Sequence, residues 1–252
     1  MKGLLCEYNK LKTNTLLYVL CFIVIVFIAF CQYDAVRTGI NAQGYIFSTG
    51  LATLNILGTV YIIFIGAFAF FNDWHWNTYQ HQFINISNRK KICSLKLLII
   101  LMSSLFILIL VVIFTCGIHF MNTGSINGIL PDKFALQLLY TLLSLVFWGE
   151  LAFTLTALTR NIVIGVLIPF VVNNFEILLY QYIGQKFSRF LPSYNLKSLL
   201  SYSFDNLKSG SMIVFPDIGY GFGIFNHIYL FVLLTFFILV NIYIFTKMEI
   251  PS

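Results

Sequence analysis

The chain has 252 residues, 59% of them hydrophobic and only 10% charged, against about 45–50% and 25% in ordinary soluble domains. That excludes a soluble globular domain and leaves an integral membrane protein. The formal net charge of +6 comes with no basic stripe of stacking aromatics, so nucleic acid is not an expected partner.

Before the first apolar run, Leu4, Leu5, Tyr8 and Leu11 fall near one helical face, with Glu7, Lys10 and Lys12 elsewhere. Residues 1–13 read either as an interfacial helix along the inner leaflet or as a cationic tail that only sets orientation. Apolar windows follow at 16–30, 51–71, 97–120, 134–158, 162–183 and 227–245, each near the ~20 residues that cross ~30 Å of hydrocarbon. They are continuous and do not alternate with period two. The prediction is therefore an all-α, polytopic membrane protein of six transmembrane helices in a single domain over 1–252. The first run is expected to stay as a mature helix, because bulky Phe30 precedes Cys31 where a cleavage site needs a small residue.

Cation placement sets the orientation. With the N-terminus inside, Lys2, Lys10, Lys12, Arg89, Lys90, Lys91, Lys96, Arg160 and Lys247 are cytoplasmic, while Arg37 and Lys133 lie in short outer loops. Both termini are then expected on the cytoplasmic side.

Between the second and third runs, residues 73–96 read DWHWNTYQHQFINISNRKKICSLK. Trp76, Tyr79, Phe83 and Ile86 share one helical face, His75, Asn77, Thr78, His81 and Gln82 occupy much of the rest, and Arg89, Lys90 and Lys91 close the stretch. Such a segment either docks in the groove of a partner protein or lies at the headgroup boundary as an aromatic anchor. The fourth and fifth runs are separated only by residues around Arg160, which requires an antiparallel hairpin.

Two carboxylates, Glu150 and Glu176, stand inside apolar runs, where a charge is costly enough to need a reason. Glu150 reads as a structural hydrogen-bonding group or a proton-coupling one. Gly165, Pro169, Asn173, Glu176 and Tyr180 form one small-and-polar stripe, which suits a permease interface, a substrate path or simple helix packing; Asn55, Gly58, Ile62 and Gly66 form a comparable one. Residues 184–225 make an unusually long outer segment with apolar residues at helical spacing on both sides of Pro192, predicting two short amphipathic helices on or in the outer leaflet. Five cysteines show no metal-ligand spacing; a Cys31–Cys116 disulfide is one option and small buried hydrophobes the other.

Catalysis finds no support. The four histidines are scattered, no H-E-x-x-H occurs, and no base is placed to activate a serine within the bilayer. No Walker A sequence is present either, so the chain is not expected to be an enzyme or to bind a cofactor itself.

On these residues the chain resembles the type-2 ABC exporter permeases, especially small bacterial ones that export, or confer immunity to, lantibiotics and other antimicrobial peptides. The resemblance rests on Glu7, Lys10 and Lys12 in an amphipathic leader, on Asp73 followed by Asn77, Thr78 and Tyr79 and then by Arg89 and Lys96, and on the long outer segment. Asp73 stands where Glu is more usual, and Ile86, Ser87 and Asn88 stand where a Pro-containing step often precedes the arginine. The resemblance implies a bacterial cell-membrane location and two permease subunits, identical or related, each presenting 73–96 to a separate ATPase subunit that binds ATP and Mg. It also implies an amphipathic or antimicrobial peptide as cargo, with Asn55, Asn173, Glu176 and Tyr180 on the path or the permease interface. A membrane-embedded peptide sensor or assembly scaffold shares the same hydropathy and is the alternative.

Overall fold

The computed structural model describes residues 14–37, 44–75, 89–123, 130–183, 185–204, 207 and 223–247. Among them every regular element is helical. In chain order these are α1 (Thr15–Arg37), α2 (Tyr45–Thr53), a π-helical turn (Leu54–Gly58), α3 (Thr59–His75), α4 (Arg89–Thr123), α5 (Phe134–Thr159), α6 (Ile162–Ile183), α7 (Gln185–Ser188), α8 (Pro192–Ser203) and α9 (Ile224–Lys247).

Five stretches are long and apolar enough to cross a bilayer: Thr15–Asp34, Tyr45–Trp74, Arg89–Asn122, Phe134–Thr159 and Ile224–Lys247. The chain is accordingly a helical, membrane-embedded protein. Of the six spans expected from hydropathy, five coincide with these stretches, and the sixth falls on α6, whose described side chains end at Glu176. The second and third spans are longer than their apolar windows: the second starts at Tyr45, and α4 is already helical at Arg89, so Lys96 lies two turns inside it and does not begin it.

The centre of the bundle is built by α2, α3 and α5. Their span windows are 61% buried, against 22% for α1, 33% for α4 and 17% for α9, so the last three form the periphery. Close approach of α3 and α5 depends on glycine. A Cβ on Gly66 would collide with the carbonyl of Gly149, and a Cβ on Gly149 would stand 2.6–2.7 Å from the side chains of Ile100 and Ile62. Small residues serve this purpose in membranes, where apolar packing has no water to expel and depends on close contact.

Amide–hydroxyl pairs then fix the helix pairs. Gln32 of α1 donates to Thr115 of α4, and Asn55 of the π-helical turn donates to Thr141 of α5 at 2.9 Å. Asn173 of α6 donates to Thr59 of α3 at 3.3 Å, and Asn241 of α9 donates to Thr154 of α5 at 2.9 Å. In three of these pairs the threonine hydroxyl donates to a carbonyl of its own helix or the adjoining turn, from Thr115 to Val111, Thr154 to Glu150 and Thr59 to Ile56. It thus serves as acceptor across the interface and donor within its own segment, as a hydroxyl can.

The α5–α6 hairpin closes at Arg160, a non-glycine residue in the left-handed region (φ 54°), whose N–H bonds the Thr156 carbonyl at 2.8 Å. Asn161 caps the next helix by accepting the Val163 N–H at 2.8 Å. Beyond α6, α8 begins at Pro192, as the break there predicts, and buries Tyr194, Leu196, Leu199 and Leu200 with Ser193, Asn195, Ser198 and Ser203. It packs onto α5, α9 and α6. Gln137 of α5 accepts from Ser48 of α2 and donates to the Ser203 carbonyl, while Asn226 of α9 donates to Asn195. Cys31 and Cys116 carry free thiols, so the disulfide option is not realised.

Replacing Gly66 by Leu inserts a side chain where two backbones touch, and overpacking of this kind costs about 1–3 kcal/mol or more. The expected outcome is a lower thermal midpoint in detergent than for Val232→Leu, which enlarges an exposed side chain on the peripheral helix α9. Equal midpoints for the two variants would refute the close contact.

Candidate functional site

The C-terminal end of α3 and the N-terminal end of α4 meet at the base of the 73–96 stretch. Asp73 in the last turn of α3 and Lys96 in the second turn of α4 form an ion pair, with residue exposures of 1% and 0%. The Lys96 ammonium also donates to the Ala69 carbonyl at 2.5 Å, so one cation satisfies an acid and a backbone oxygen of the same helix. Two antiparallel spans bring these residues together although 23 positions separate them in sequence.

Other contacts join further helices to this base. The Arg89 guanidinium donates to the Thr246 carbonyl at 3.3 Å, placing a cation at the C-terminal end of α9, where the helix dipole favours it. Arg160 at the hairpin tip lies over the Trp74 ring at 4.3 Å, a cation–π contact from the α5–α6 hairpin to α3. Beneath them Phe70 is the hub of an aromatic cluster, with ring centroids 6.2 Å from Trp74, 6.2 Å from Phe153 and 5.9 Å from Phe245. The ends of α3, α4, α5 and α9 are therefore tied together where the chain leaves for, and returns from, residues 76–88. Lys90 and Lys91 are exposed beside that exit.

Of the predicted coupling residues, the structure brings Asp73 and Arg89 into this base and leaves Lys90 and Lys91 on its surface. Trp76, Thr78, Tyr79 and Phe83 lie outside the described residues, as do Glu7, Lys10 and Lys12. The pairing of Asp73 with Lys96 was not anticipated. Its signal is present in the sequence as an acid at the end of one apolar run and a lysine at the start of the next.

The small-and-polar stripe of α6 faces the interior of the same chain. Gly165 lies against Thr156 and the Ala152 carbonyl of α5, Pro169 is buried, and Asn173 bonds Thr59. Glu176 accepts the Ser193 N–H at 3.1 Å and so caps the N-terminus of α8 from a different helix. Lys197 of α8 returns the contact by donating to the Asn173 carbonyl at 2.8 Å. Burial pushes the Lys197 ammonium down from its ordinary 10.5 to about 8, partly offset by the neighbouring Glu176 carboxylate. Tyr180 lies in α6, with its side chain outside the description. Glu150 is buried in α5 close to Cys93, and its Oε2 has no hydrogen-bond partner among the described residues. Among the described residues no three His, Cys, Asp or Glu side chains gather as a metal site.

No family model, no curated protein and no solved structure matches the chain.

Two outcomes are expected from this geometry. Asp73→Asn or Lys96→Met alone leaves a buried group without its counter-ion and should cost about 3–5 kcal/mol, whereas the double variant Asp73→Leu/Lys96→Met should recover most of it; a thermodynamic cycle from unfolding in detergent reads the coupling, and strictly additive losses would contradict a buried pair. Because Lys197 binds its proton less tightly in the folded chain, the unfolded state holds more protons between about pH 8 and 10.5. Stability should thus rise with pH across that window, and Lys197→Met should flatten the rise.

Proposed function

We propose that this chain is the membrane-spanning permease subunit of an ATP-driven exporter, with residues 73–96 as the handle that a separate ATPase subunit grips. The observation that carries the reading is the tied base of that stretch. A push on a loop whose ends were loose would be absorbed locally, whereas here Asp73 and Lys96 lock α3 to α4, Arg89 reaches α9, and Arg160 joins the α5–α6 hairpin to Trp74. Displacement at the handle is then delivered to the inner ends of these helices together.

The chain supplies no nucleotide-binding loop of the P-loop type, so on this reading ATP and Mg bind the partner, and the permease acts as a pair with a second copy or a related chain. The location that fits is the bacterial cell membrane with both termini inside. The cargo that fits is an amphipathic peptide, which would enter from the bilayer and leave past the outer helices α7 and α8. The inward-facing stripe of α6 is engaged with Thr59, Ser193 and Lys197, so Asn173 and Glu176 act on that route by holding the outer helix in place.

The test is affinity purification of the chain co-expressed with its genetic neighbours, followed by a search for a captured ATPase subunit and for peptide-stimulated ATP hydrolysis. Trp76→Asp with Tyr79→Asp, or Lys90→Glu with Lys91→Glu, should reduce ATPase capture by about tenfold or more, as loss of one interface anchor does. Full capture and full transport by both variants would reduce the stretch to a membrane anchor.

A further inference from the structure

Three acids are buried among the described residues, Asp73, Glu150 and Glu176. Two of them are matched. Asp73 holds the Lys96 ammonium, and Glu176 accepts the Ser193 N–H with the Lys197 ammonium close by. Glu150 is only 6% exposed, and among the described residues neither of its carboxyl oxygens takes part in a hydrogen bond or an ion pair. A structural hydrogen-bonding role needs a partner that Glu150 does not have.

Its surroundings offer no counter-ion. Glu150 follows Gly149, whose backbone lies against Gly66 where α3 and α5 touch, and its own carbonyl accepts the Thr154 hydroxyl. Cys93 of α4 is fully buried and within electrostatic reach of both Glu150 and Lys96, but Lys96 is engaged with Asp73 of α3. From α9 comes the neutral Asn241, bonded to Thr154; Tyr243 is exposed, His227 bonds Tyr140 and Lys247 stands at the C-terminal end. From α6 comes Gly165 on Thr156, its acid Glu176 being held at Ser193, and Lys197 of α8 is committed to the Asn173 carbonyl. Backbone N–H groups within the helices are already used. A carboxylate at this place would have neither a cation nor a donor, whereas one bound proton removes the charge.

We propose that Glu150 is a proton-binding site, loaded in the packed arrangement of α3 and α5 and exchanging its proton with water when the two helices part. The step moves one proton from hydronium to a carboxylate oxygen, forming an O–H bond there and leaving water; the reverse step returns it, and no other bond changes. Loss of the proton puts a negative charge beside the Gly66–Gly149 contact. That charge is tolerated only once water reaches it, so proton release and separation of α3 from α5 go together. The site lies beyond the exporter reading and stands without it, since it requires neither an ATPase nor a peptide.

The test uses the full-length chain, first in membrane vesicles treated with dicyclohexylcarbodiimide, which adds to protonated acids in apolar surroundings, with the adduct located by peptide mass spectrometry. An adduct at Glu150 is expected, kept by Glu150→Asp and lost in Glu150→Gln. Infrared spectra of the purified chain then report exchange: the C=O stretch of a neutral acid should shift in D2O, and Glu150→Gln should lack that component. Should Glu150→Gln fail to fold, the mass-spectrometric position of the adduct in the native chain and the altered band of Glu150→Asp still decide. No adduct at Glu150 overturns the proposal, and so does a band that D2O leaves in place, because a sealed proton is not exchanged. Labelling suppressed by sodium chloride and not by choline chloride would make this a sodium site and overturn it equally.

Discussion

A bilayer interior supplies neither donors nor acceptors, and that single deficiency dictates how these helices pair. Each backbone group is satisfied within its own helix, so what remains to be matched is the side-chain amides and hydroxyls. The chain meets this with a repeated unit: an amide on one helix donates to a threonine on another, and the threonine gives its own proton to a nearby backbone carbonyl. Each unit fixes a rotation as well as a distance, because the hydroxyl must face the amide. Apolar contacts alone would not do so, since a leucine packs as well against lipid as against another leucine.

The two ends of the bundle solve the same problem with different chemistry. At the end that carries the α5–α6 hairpin, cations are matched to an acid, to carbonyls and to an aromatic face through Asp73–Lys96, Arg89–Thr246 and Arg160–Trp74. At the opposite end, α8 is held by neutral side chains and carbonyls, through Gln137, Asn195 and Asn226, together with the Glu176 cap and Lys197. Between them the glycine contact of α3 and α5 brings two backbones together with no side chain intervening. Packed elements of this kind transmit displacement because they do not deform continuously.

Hydropathy made the helical class and the approximate spans legible, since a run of apolar residues with no charge has few other folds open to it. The hairpin at Arg160 and the break at Pro192 were equally readable, because chain length and the missing proline N–H constrain them directly. What could not be read was direction. Periodicity put Gly165, Asn173 and Glu176 on one face of α6, but a subunit contact, a substrate path and packing within the chain all suit that face until the neighbours α3, α5 and α8 are in place. The same limit hid Thr141 and Thr154, which alone are ordinary residues in an apolar helix and acquire meaning only opposite Asn55 and Asn241. Asp73 and Lys96 were visible individually as members of a motif, and their mutual burial depended on an antiparallel register that no local pattern encodes.

An ion pair at the base of the 73–96 stretch has a consequence that aromatic packing there would not have. A buried pair adds little net stability, because removing both charges from water offsets much of their attraction. What it adds is selectivity among arrangements: the Phe70 cluster tolerates rotation of its rings, whereas the Lys96 ammonium must reach both the Asp73 carboxylate and the Ala69 carbonyl, one turn apart on α3. A rotation of α3 about its axis moves both acceptors together and strands the cation, so intermediate positions are penalised more than the tied one. The start of α4 and the end of α3 therefore move as a unit, and the stretch between them is presented from a base with one defined geometry.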